Sequence, residues 1–319
     1  MSKQKLKTFF SLLIHPRQMV VWLATAGALN FLPDTLYIKA MYWGSVGKRL
    51  HLNHPVMFSE KLQWLKLHDR QDRYITLVDK IAVKEYVASK IGKEHIIPTL
   101  GVWDSSDQID FDRLPDRFVL KCNHDSGSAV ICKDKSSLDF SAVQKKLEKN
   151  LQTDLFCWGR EWPYRFVKRK ILAEEYLENG EYSDLTDYKF FCFDGKPEYC
   201  QVITDRTTDE RIDFYDMEWI HQPFNGLFGL TFHVQNSSRV IPCPKCFEKM
   251  KESARVLSQD IPFCRVDFYE VQGKLYFGEI TLYPAAGFGW FIPDKWNLIL
   301  GEKIHLQKKR EDTGRGTQS

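Results

Sequence analysis

The most constraining stretch of this chain is Arg265–Gly287, reading RVDFYEVQGKLYFGEITLYPAAG. Aromatic and β-branched residues dominate both sides of Gln272-Gly273-Lys274. That pattern predicts two strands joined at a glycine bend and followed by a Pro/Gly loop. Each arm carries one acid among apolar neighbours, Asp267 and Glu279. An odd-length connection centred on Gly273 sets these acids directly opposite, on one face, with Cβ atoms about 5 Å apart. Two carboxylates that close in a half-buried sheet repel unless a cation or proton lies between them. Oxygen-only ligands suit Mg²⁺, which takes one or two carboxylates and completes its shell with substrate phosphates. The same register brings Arg265 opposite Thr281, beside the acids. A two-residue turn at Gln272-Gly273 would instead send the acids to opposite faces. The simpler alternative is an exposed strand face carrying two unrelated acids.

At 319 residues and 43% hydrophobic content, the chain holds one large domain or two ordinary ones with a substantial core. The net charge of +3 gives no bulk electrostatic case for nucleic acid, and the basic run Arg165–Lys170 reads as a solvated face. Of the eight cysteines, Cys122, Cys132, Cys192, Cys200 and Cys264 fall in apolar strand-like runs and read as small buried hydrophobes. Only Cys243-Pro-Lys-Cys246 has metal-like spacing, and no second pair or histidines stand in the context a zinc site wants. Reduced thiols suit a cytoplasmic protein.

Near the N-terminus, Lys3, Lys5, Lys7 and Arg17 precede the mostly apolar run Met19–Leu32. The run is short of the ~20 residues that span a bilayer. It matches a signal h-region in length, and Ala24-Thr-Ala26 mimics a cleavage site. The basic residues are spread far from it, however. The expectation is a buried or membrane-surface helix, with peripheral contact through 19–32 at the inner face of a membrane left open.

In order, residues 1–50 read as helical. Ser59 is expected to cap a helix over Glu60–Asp69, and a second helix is expected from about Thr76 to Ile91, stopping at Gly92. Ile96–Trp103 is a short strand and Ser105–Pro115 a polar connector. Phe118–Cys122 and Ala129–Cys132 are strands around Asn123-His-Asp-Ser-Gly-Ser128. This loop either presents N–H groups and hydroxyls to an anion or is an ordinary hairpin turn. Lys121 alternates with Leu120 and Cys122 and so points toward such a ligand. Asp139–Leu151 is a helix, and Ile171–Leu177 is a strand carrying Glu174 and Glu175. Asp187–Phe193 and Pro197–Thr204 form a hairpin through Asp194-Gly195, and a further strand pair surrounds Asp216. Phe247–Ser258 is a helix, and Lys308–Ser319 reads as disordered. There is no Walker A element, G-x-G-x-x-G, H-E-x-x-H or G-x-S-x-G. Asp110-Phe-Asp112 has the form of a D-x-D metal motif in the polar connector.

In combination these signals are specific. The strand Lys121, the loop Ser126-Gly127-Ser128, the strand Glu174-Glu175-Tyr-Leu177, then Arg265-x-Asp267 and Glu279-x-Thr281 follow the order of the ATP-grasp superfamily, which the chain resembles. PVMFSEKLQWLKLHDR, DKIAVKEYV, FVLKCNHDSGS, DYKFFCFDGKP and FGEIT resemble its TupA-like branch more closely. That branch is linked to teichuronopeptide and capsular polysaccharide synthesis, and some of its relatives carry a glycosyltransferase label. The resemblance runs from about Leu36 to Ile304.

It implies an α+β fold in which two lobes with mostly antiparallel sheets grip ATP. A helical N-terminal region at 1–75 would precede an ATP-grasp domain at 76–306. Within that domain, about 118–175 would be the small lobe and 176–306 the catalytic lobe, with 307–319 a disordered tail. By position, Lys121 and Lys80 resemble phosphate-side lysines, and Ser126, Gly127 and Ser128 the loop closing over the phosphates. Glu174, Glu175 and Leu177 resemble the hinge strand that reads adenine, with Glu181 or Asp187 on the ribose. Asp267 and Glu279 match Mg²⁺ ligands, with Thr281 where many relatives have Asn. Arg265 resembles the arginine near the transferred phosphate. Lys189 either contacts phosphate or substrate or pairs with Asp187. The implied activity is ATP-dependent carboxylate–amine ligation through an acyl-phosphate, on a sugar acid of a cell-surface polysaccharide, with a carboxylate and an amine as substrates. The alternatives are a nucleotide-sugar glycosyltransferase with Asp110 and Asp112 at its metal, and a non-catalytic nucleotide-binding scaffold at the membrane.

Overall fold

A computed structural model describes residues 15–178, 185–229 and 233–306. Lys3, Lys5, Lys7, Glu181 and the tail at 307–319 therefore lie outside the described residues. The chain begins with α1 (Pro16–Thr25), α2 (Asp34–Val46), α3 (Phe58–His68), α4 (Arg73–Val78) and α5 (Ala82–Ile91). Then come β1 (Thr99–Trp103), β2 (Phe118–Cys122), β3 (Val130–Cys132), α6 (Phe140–Leu151), α7 (Leu155–Gly159) and β4 (Ile171–Glu175). The rest runs β5 (Asp187–Phe193), β6 (Lys196–Thr204), β7 (Arg211–Tyr215), β8 (Asn225–Phe228), α8 (Phe247–Leu257), β9 (Phe263–Val271), β10 (Lys274–Thr281), β11 (Trp290–Ile292) and α9 (Lys295–Glu302).

Two antiparallel sheets carry the architecture. The smaller has the order β1-β4-β2-β3 and the larger β10-β9-β5-β6-β7, while β8 and β11 pair apart from both. In β2, Phe118, Leu120 and Cys122 are buried in alternation, as a one-sided strand requires. They pack with Ile171 and Ala173 against Val143 and Leu147 of α6. The Asp139 carboxylate caps that helix by accepting from the Ala142 N–H at 3.0 Å.

The larger sheet is covered on both faces. Phe190 and Phe268 belong to the core that Phe247, Met250 and Leu257 of α8 complete. On the other face Phe191, Phe193 and Phe263 surround Phe58 of α3, with the Phe58 and Phe263 rings edge-on at 4.9 Å. Such a pair adds about 0.5–1.5 kcal/mol beyond burial. Along β5 this face changes character, from aromatic at Phe191 and Phe193 to charged at Lys189 and Asp187, two and four residues before Phe191. The N-terminal helices form a third core, in which Tyr37, Ile38, Met41 and Tyr42 meet Ala286 and Phe288 beyond β10. Residue 75 falls inside α4, and α3, α4 and α5 pack into the core of the larger sheet. Among the described residues no helix is long and apolar enough to cross a membrane.

Three local expectations are corrected. The helix expected over 76–91 is broken at Asp79-Lys80-Ile81, because the Asp79 carboxylate accepts from the Ile81 N–H at 2.8 Å and from the Asn123 side chain at 2.9 Å. Short acidic side chains compete in this way with the helical ladder. Ser59 is not the cap of α3, which starts at Phe58. Glu60 accepts from the Val56 and Met57 N–H groups, and the Ser59 hydroxyl is buried against the Tyr42 hydroxyl at 2.9 Å. The strand expected to reach Leu177 ends at Glu175, whose N–H donates to the Pro98 carbonyl.

Candidate active site

The hairpin β9–β10 sets Asp267 opposite Glu279, but not through an odd-length turn. Val271 pairs with Lys274 around a two-residue turn, Gln272-Gly273, in which both residues have positive φ (51° and 74°), as a type I′ turn requires. Continued regularly, that ladder would set Gly278 against Asp267 and send Glu279 to the far face. A β-bulge intervenes. Phe277 pairs with Phe268, Gly278 is the extra residue, and Glu279 pairs with Asp267. A Cβ at 278 would meet the Asp267 carbonyl oxygen at 3.1 Å and the Tyr269 ring at 3.1 Å, which explains the glycine.

Lys189 pairs with Asp267 in the next ladder, so Lys189, Asp267 and Glu279 form one straight row across β5, β9 and β10. Arg265 and Thr281 stand beside that row, and Asp187 precedes it by two residues on β5. The charges interlock. Lys189 Nζ lies 2.5 Å from Asp267 Oδ2 and 3.3 Å from Asp187 Oδ1, the second contact being an ion pair without hydrogen-bond geometry. Arg265 donates twice to Asp267, each at 2.7 Å, and once to Glu279 at 3.1 Å and to Thr281 Oγ1 at 3.2 Å. Arg206 lies 3.1 Å from Asp187 Oδ2. Burial opposes ionisation of Glu279, but Lys80, Arg265 and Lys189 outweigh it and hold its carboxyl well below the usual carboxylate range. Burial likewise opposes the charge on Arg265, and Asp267 and Glu279 overcome it to raise its pKa further.

A second cluster lies on the smaller sheet. The Glu174 carboxylate is 2.5 Å from Lys121 Nζ and 2.6 Å from Lys84 Nζ. Burial works against its charge, and the two ammonium groups win, keeping its pKa low. Burial also lowers the Lys84 pKa, and the Lys121 charge adds to that. Lys84 further donates to the Ile97 carbonyl at 2.8 Å and to Thr99 Oγ1 at 2.7 Å.

Lys80, in the break between α4 and α5, ties the loop after β2 to the acid row. Its N–H donates to the Asn123 carbonyl at 3.0 Å and its Nζ to the Asp125 carbonyl at 2.7 Å, while Nζ also lies 3.3 Å from Glu279 Oε2. The loop after β2 is therefore held against the acid row. Within it Ser126 and Gly127 are exposed, and Gly127 has a positive φ of 111° with open space around it. Ser128 is turned inward. Its hydroxyl donates to Asp125 Oδ1 at 2.5 Å and accepts from the Cys122 N–H at 2.8 Å. Burial lowers the pKa of His124, whose Nε2 lies 3.1 Å from the Thr153 carbonyl, and raises that of Asp125.

The structure thus gathers Lys80, Asp187, Lys189, Arg265, Asp267, Glu279 and Thr281 at one site, and Lys121 with Glu174 at its neighbour. Glu175 is exposed and Leu177 half-buried just past the end of β4. Asp110 caps a short turn by accepting from the Asp112 N–H at 3.2 Å, and it pairs with Arg113 on the surface. Cys243 is exposed, whereas Cys246 is buried with its thiol donating to the Gly273 carbonyl at 3.0 Å. Two site residues were missed from sequence. Lys84 carries a signal, since it follows Lys80 by four in a stretch that reads as one helix from sequence, a spacing that puts two side chains on one face. Arg206, in the turn after β6, carries none.

Mg²⁺ fits this donor set. Asp267 and Glu279 offer hard oxygens on one face, and Thr281 Oγ1 lies 3.4 Å from Glu279 Oε1. Among the described residues no three acidic, histidine or cysteine side chains converge as a metal site. A cation here would rest on two carboxylates and take its remaining oxygens from phosphates, the usual habit of Mg²⁺. Each cluster also holds one cation more than its acids: Lys80, Lys189, Arg206 and Arg265 against Asp187, Asp267 and Glu279, then Lys84 and Lys121 against Glu174. That surplus suits a polyphosphate.

Two antiparallel sheets, with paired acids on a late hairpin of one and a lysine on an inner strand of the other, are the frame of the ATP-grasp class of proteins. The family model for TupA-like ATPgrasp matches residues 60–305, and the chain belongs to that family. Comparison with curated proteins gives no match. Solved structures that it is similar to include a D-alanine–D-alanine ligase from Bacillus anthracis complexed with ATP, at 15% identity and a TM-score of 0.38, covering 66% of this chain and 55% of that one. Another is a D-alanine–D-alanine ligase from Helicobacter pylori, at 14% identity and a TM-score of 0.39, covering 78% and 69%. A third is a D-cycloserine synthetase at 16% identity and a TM-score of 0.36, covering 72% and 74%. The chain spans little more than half the length of the first of these, 55%.

Proposed function

We propose that the protein is an ATP-dependent carboxylate–amine ligase. The observation that carries this reading is the row Lys189–Asp267–Glu279, tied through Lys80 to the Ser126–Ser128 loop. Phosphoryl transfer asks a protein mainly for positioning and charge neutralisation. In this reading Lys80, Lys84 and Lys121 bind the phosphates of ATP and Arg265 lies near the transferred group. Asp267 and Glu279, with Thr281 beside them, hold Mg²⁺, which supplies charge neutralisation when bound. Ser126 and Gly127 cover the phosphates and exclude water, while Ser128 braces the loop. Glu174, Glu175 and Leu177 border the adenine, with Asp187 or Glu181 toward the ribose. A substrate carboxylate attacks the γ-phosphate to give an acyl-phosphate and ADP, and an amine then displaces phosphate to give an amide.

Membership of the TupA-like family supports a sugar acid as the carboxylate, in capsular or other cell-surface polysaccharide synthesis. The eight cysteines are all free thiols, which supports a cytoplasmic location. The test is an ADP-release screen with Mg²⁺ against uronic acids and amino compounds, with Asp267→Ala as control. Release that depends on both a carboxylate and Asp267 is the expected result. No carboxylate-stimulated release, alongside binding of a nucleotide-sugar, would turn the assignment to glycosyl transfer.

A further inference from the structure

A concave site opens where the N-terminal helices meet the loop that leaves β10. Its volume is about 470 Å³, within the range of small-molecule sites. Val21 and Trp22 of α1, Met41 of α2, Trp158 of α7, and Ala285 and Phe288 wall it with carbon. Among the described residues that line it, Gln18 and Ser45 alone bring polar side chains. Trp22 and Trp158 stay 46% and 40% exposed, so broad apolar ring surface is open to solvent at this site.

The walls are fastened from behind by buried polar groups. The Tyr37 hydroxyl donates to the Trp158 carbonyl at 2.9 Å. Lys66, fully buried, donates to the Gly159 carbonyl at 2.6 Å and to the Ala286 carbonyl at 2.7 Å, and Gln63 donates to the Ala286 and Gly287 carbonyls. One ammonium thereby pins the residue after Trp158 to the residue after Ala285. Ala285 and Ala286 are held at φ 51° and 49°, a region that side chains other than glycine seldom occupy. The cavity is therefore pre-formed. Ala285 is four residues from Thr281, at most about 14 Å along the chain, a distance that an extended amphiphile spans.

We propose that this cavity is a subsite for the aliphatic chain of an amphiphilic substrate whose polar head carries the reacting carboxylate or amine. A free saccharide would demand hydrogen bonds on every side, and the described walls offer two polar side chains. A hydrocarbon chain demands none. The headgroup chemistry rests on the ligase reading, whereas the preference for an aliphatic chain does not.

The probes are octyl β-D-glucuronide, kept below its critical micelle concentration, and methyl β-D-glucuronide, titrated calorimetrically with Mg²⁺ and a non-hydrolysable ATP analogue present. The wild type is expected to bind the octyl probe at least about tenfold more tightly, since each buried methylene favours binding. Ser45→Trp, which fills the cavity, should bring the two probes together, and Trp158→Ala, at a half-exposed position, should narrow the gap. Equal binding of the two probes by the wild type, or an octyl preference that survives Ser45→Trp, overturns the subsite. The analogue is titrated separately. Chain preference without nucleotide binding keeps the subsite and removes the ligase reading, and nucleotide binding without chain preference does the reverse.

Discussion

Asp267 faces Glu279 across the β9–β10 hairpin because one residue between Phe277 and Glu279 pairs with nothing. Deleting that residue, Gly278, would leave a regular ladder in which Glu279 still follows Phe277 into the position opposite Asp267. The shortened protein is therefore expected to keep binding of the Mg²⁺–ATP analogue within about tenfold, roughly 1.4 kcal/mol. Gly278→Val should be worse than the deletion. Its Cβ would crowd the Asp267 backbone at 3.1 Å, and such overpacking costs about 1–3 kcal/mol. Urea unfolding and calorimetry rank the two, and a deletion that binds less well than the valine variant would contradict the register account.

Lys84 and Lys121 share one carboxylate, so neither is a spare charge on a helix or strand. Lys84→Met and Lys121→Met are each expected to weaken nucleotide binding about 10- to 100-fold, the worth of one charge-assisted contact of ~1.5–3 kcal/mol. The double variant should lose less than the product of the two, because Glu174 then becomes protonated and ceases to repel phosphate. Multiplicative losses would show that the two lysines act without Glu174 between them.

Lys66 and Glu161 are buried near each other, and burial drives the lysine pKa down to about 7 and the carboxyl up to about 7. Between the ordinary carboxyl value and about 7, the folded state holds more protons than the unfolded chain at Glu161, so stability falls as pH rises. From about 7 to the ordinary lysine value the folded state holds fewer at Lys66, so stability rises again. The pair thus contributes a dip near neutral pH. Urea midpoints across pH 5 to 9 should show it in the wild type and a flatter profile in Lys66→Met/Glu161→Gln. A dip of equal depth in both proteins assigns it elsewhere.

Glu279 and Glu174 have depressed carboxyl pKa values. Their stabilisation is complete above the ordinary carboxylate value and is lost as pH falls through the lower folded values. Acid unfolding followed by circular dichroism should begin below about pH 4.3. Glu279→Gln, which cannot take up that proton, should show a shallower acid limb, and an identical limb would remove Glu279 from the cause.

Much of the larger sheet was readable because its strands are rich in aromatic and β-branched residues and its hairpins carry dipeptides suited to positive φ, Gln272-Gly273 and Asp194-Gly195. The facing of Asp267 and Glu279 was anticipated for a wrong local reason. Counting residues across a hairpin assumes an unbroken ladder, and a bulge placed by backbone crowding at Gly278 leaves only a glycine in the sequence, as many features do. The break in the helix at Asp79 depends on Asn123, more than forty residues away, so no window around 76–91 contains it. Arg206 joins the site through a turn whose geometry only the folded sheet defines. Ser128 looked like a phosphate-facing hydroxyl, and its inward bond to Asp125 depends on how the loop closes.

Lys80 works as a gauge of the distance between the two sheets. Its main chain is anchored to Asn123, one ammonium contact belongs to the loop at Asp125, and the other belongs to Glu279 on β10. Lifting the loop away from β10 stretches one of these contacts before either sheet has to bend. A probe placed at this one side chain would therefore report opening of the whole molecule, with no need to label both halves.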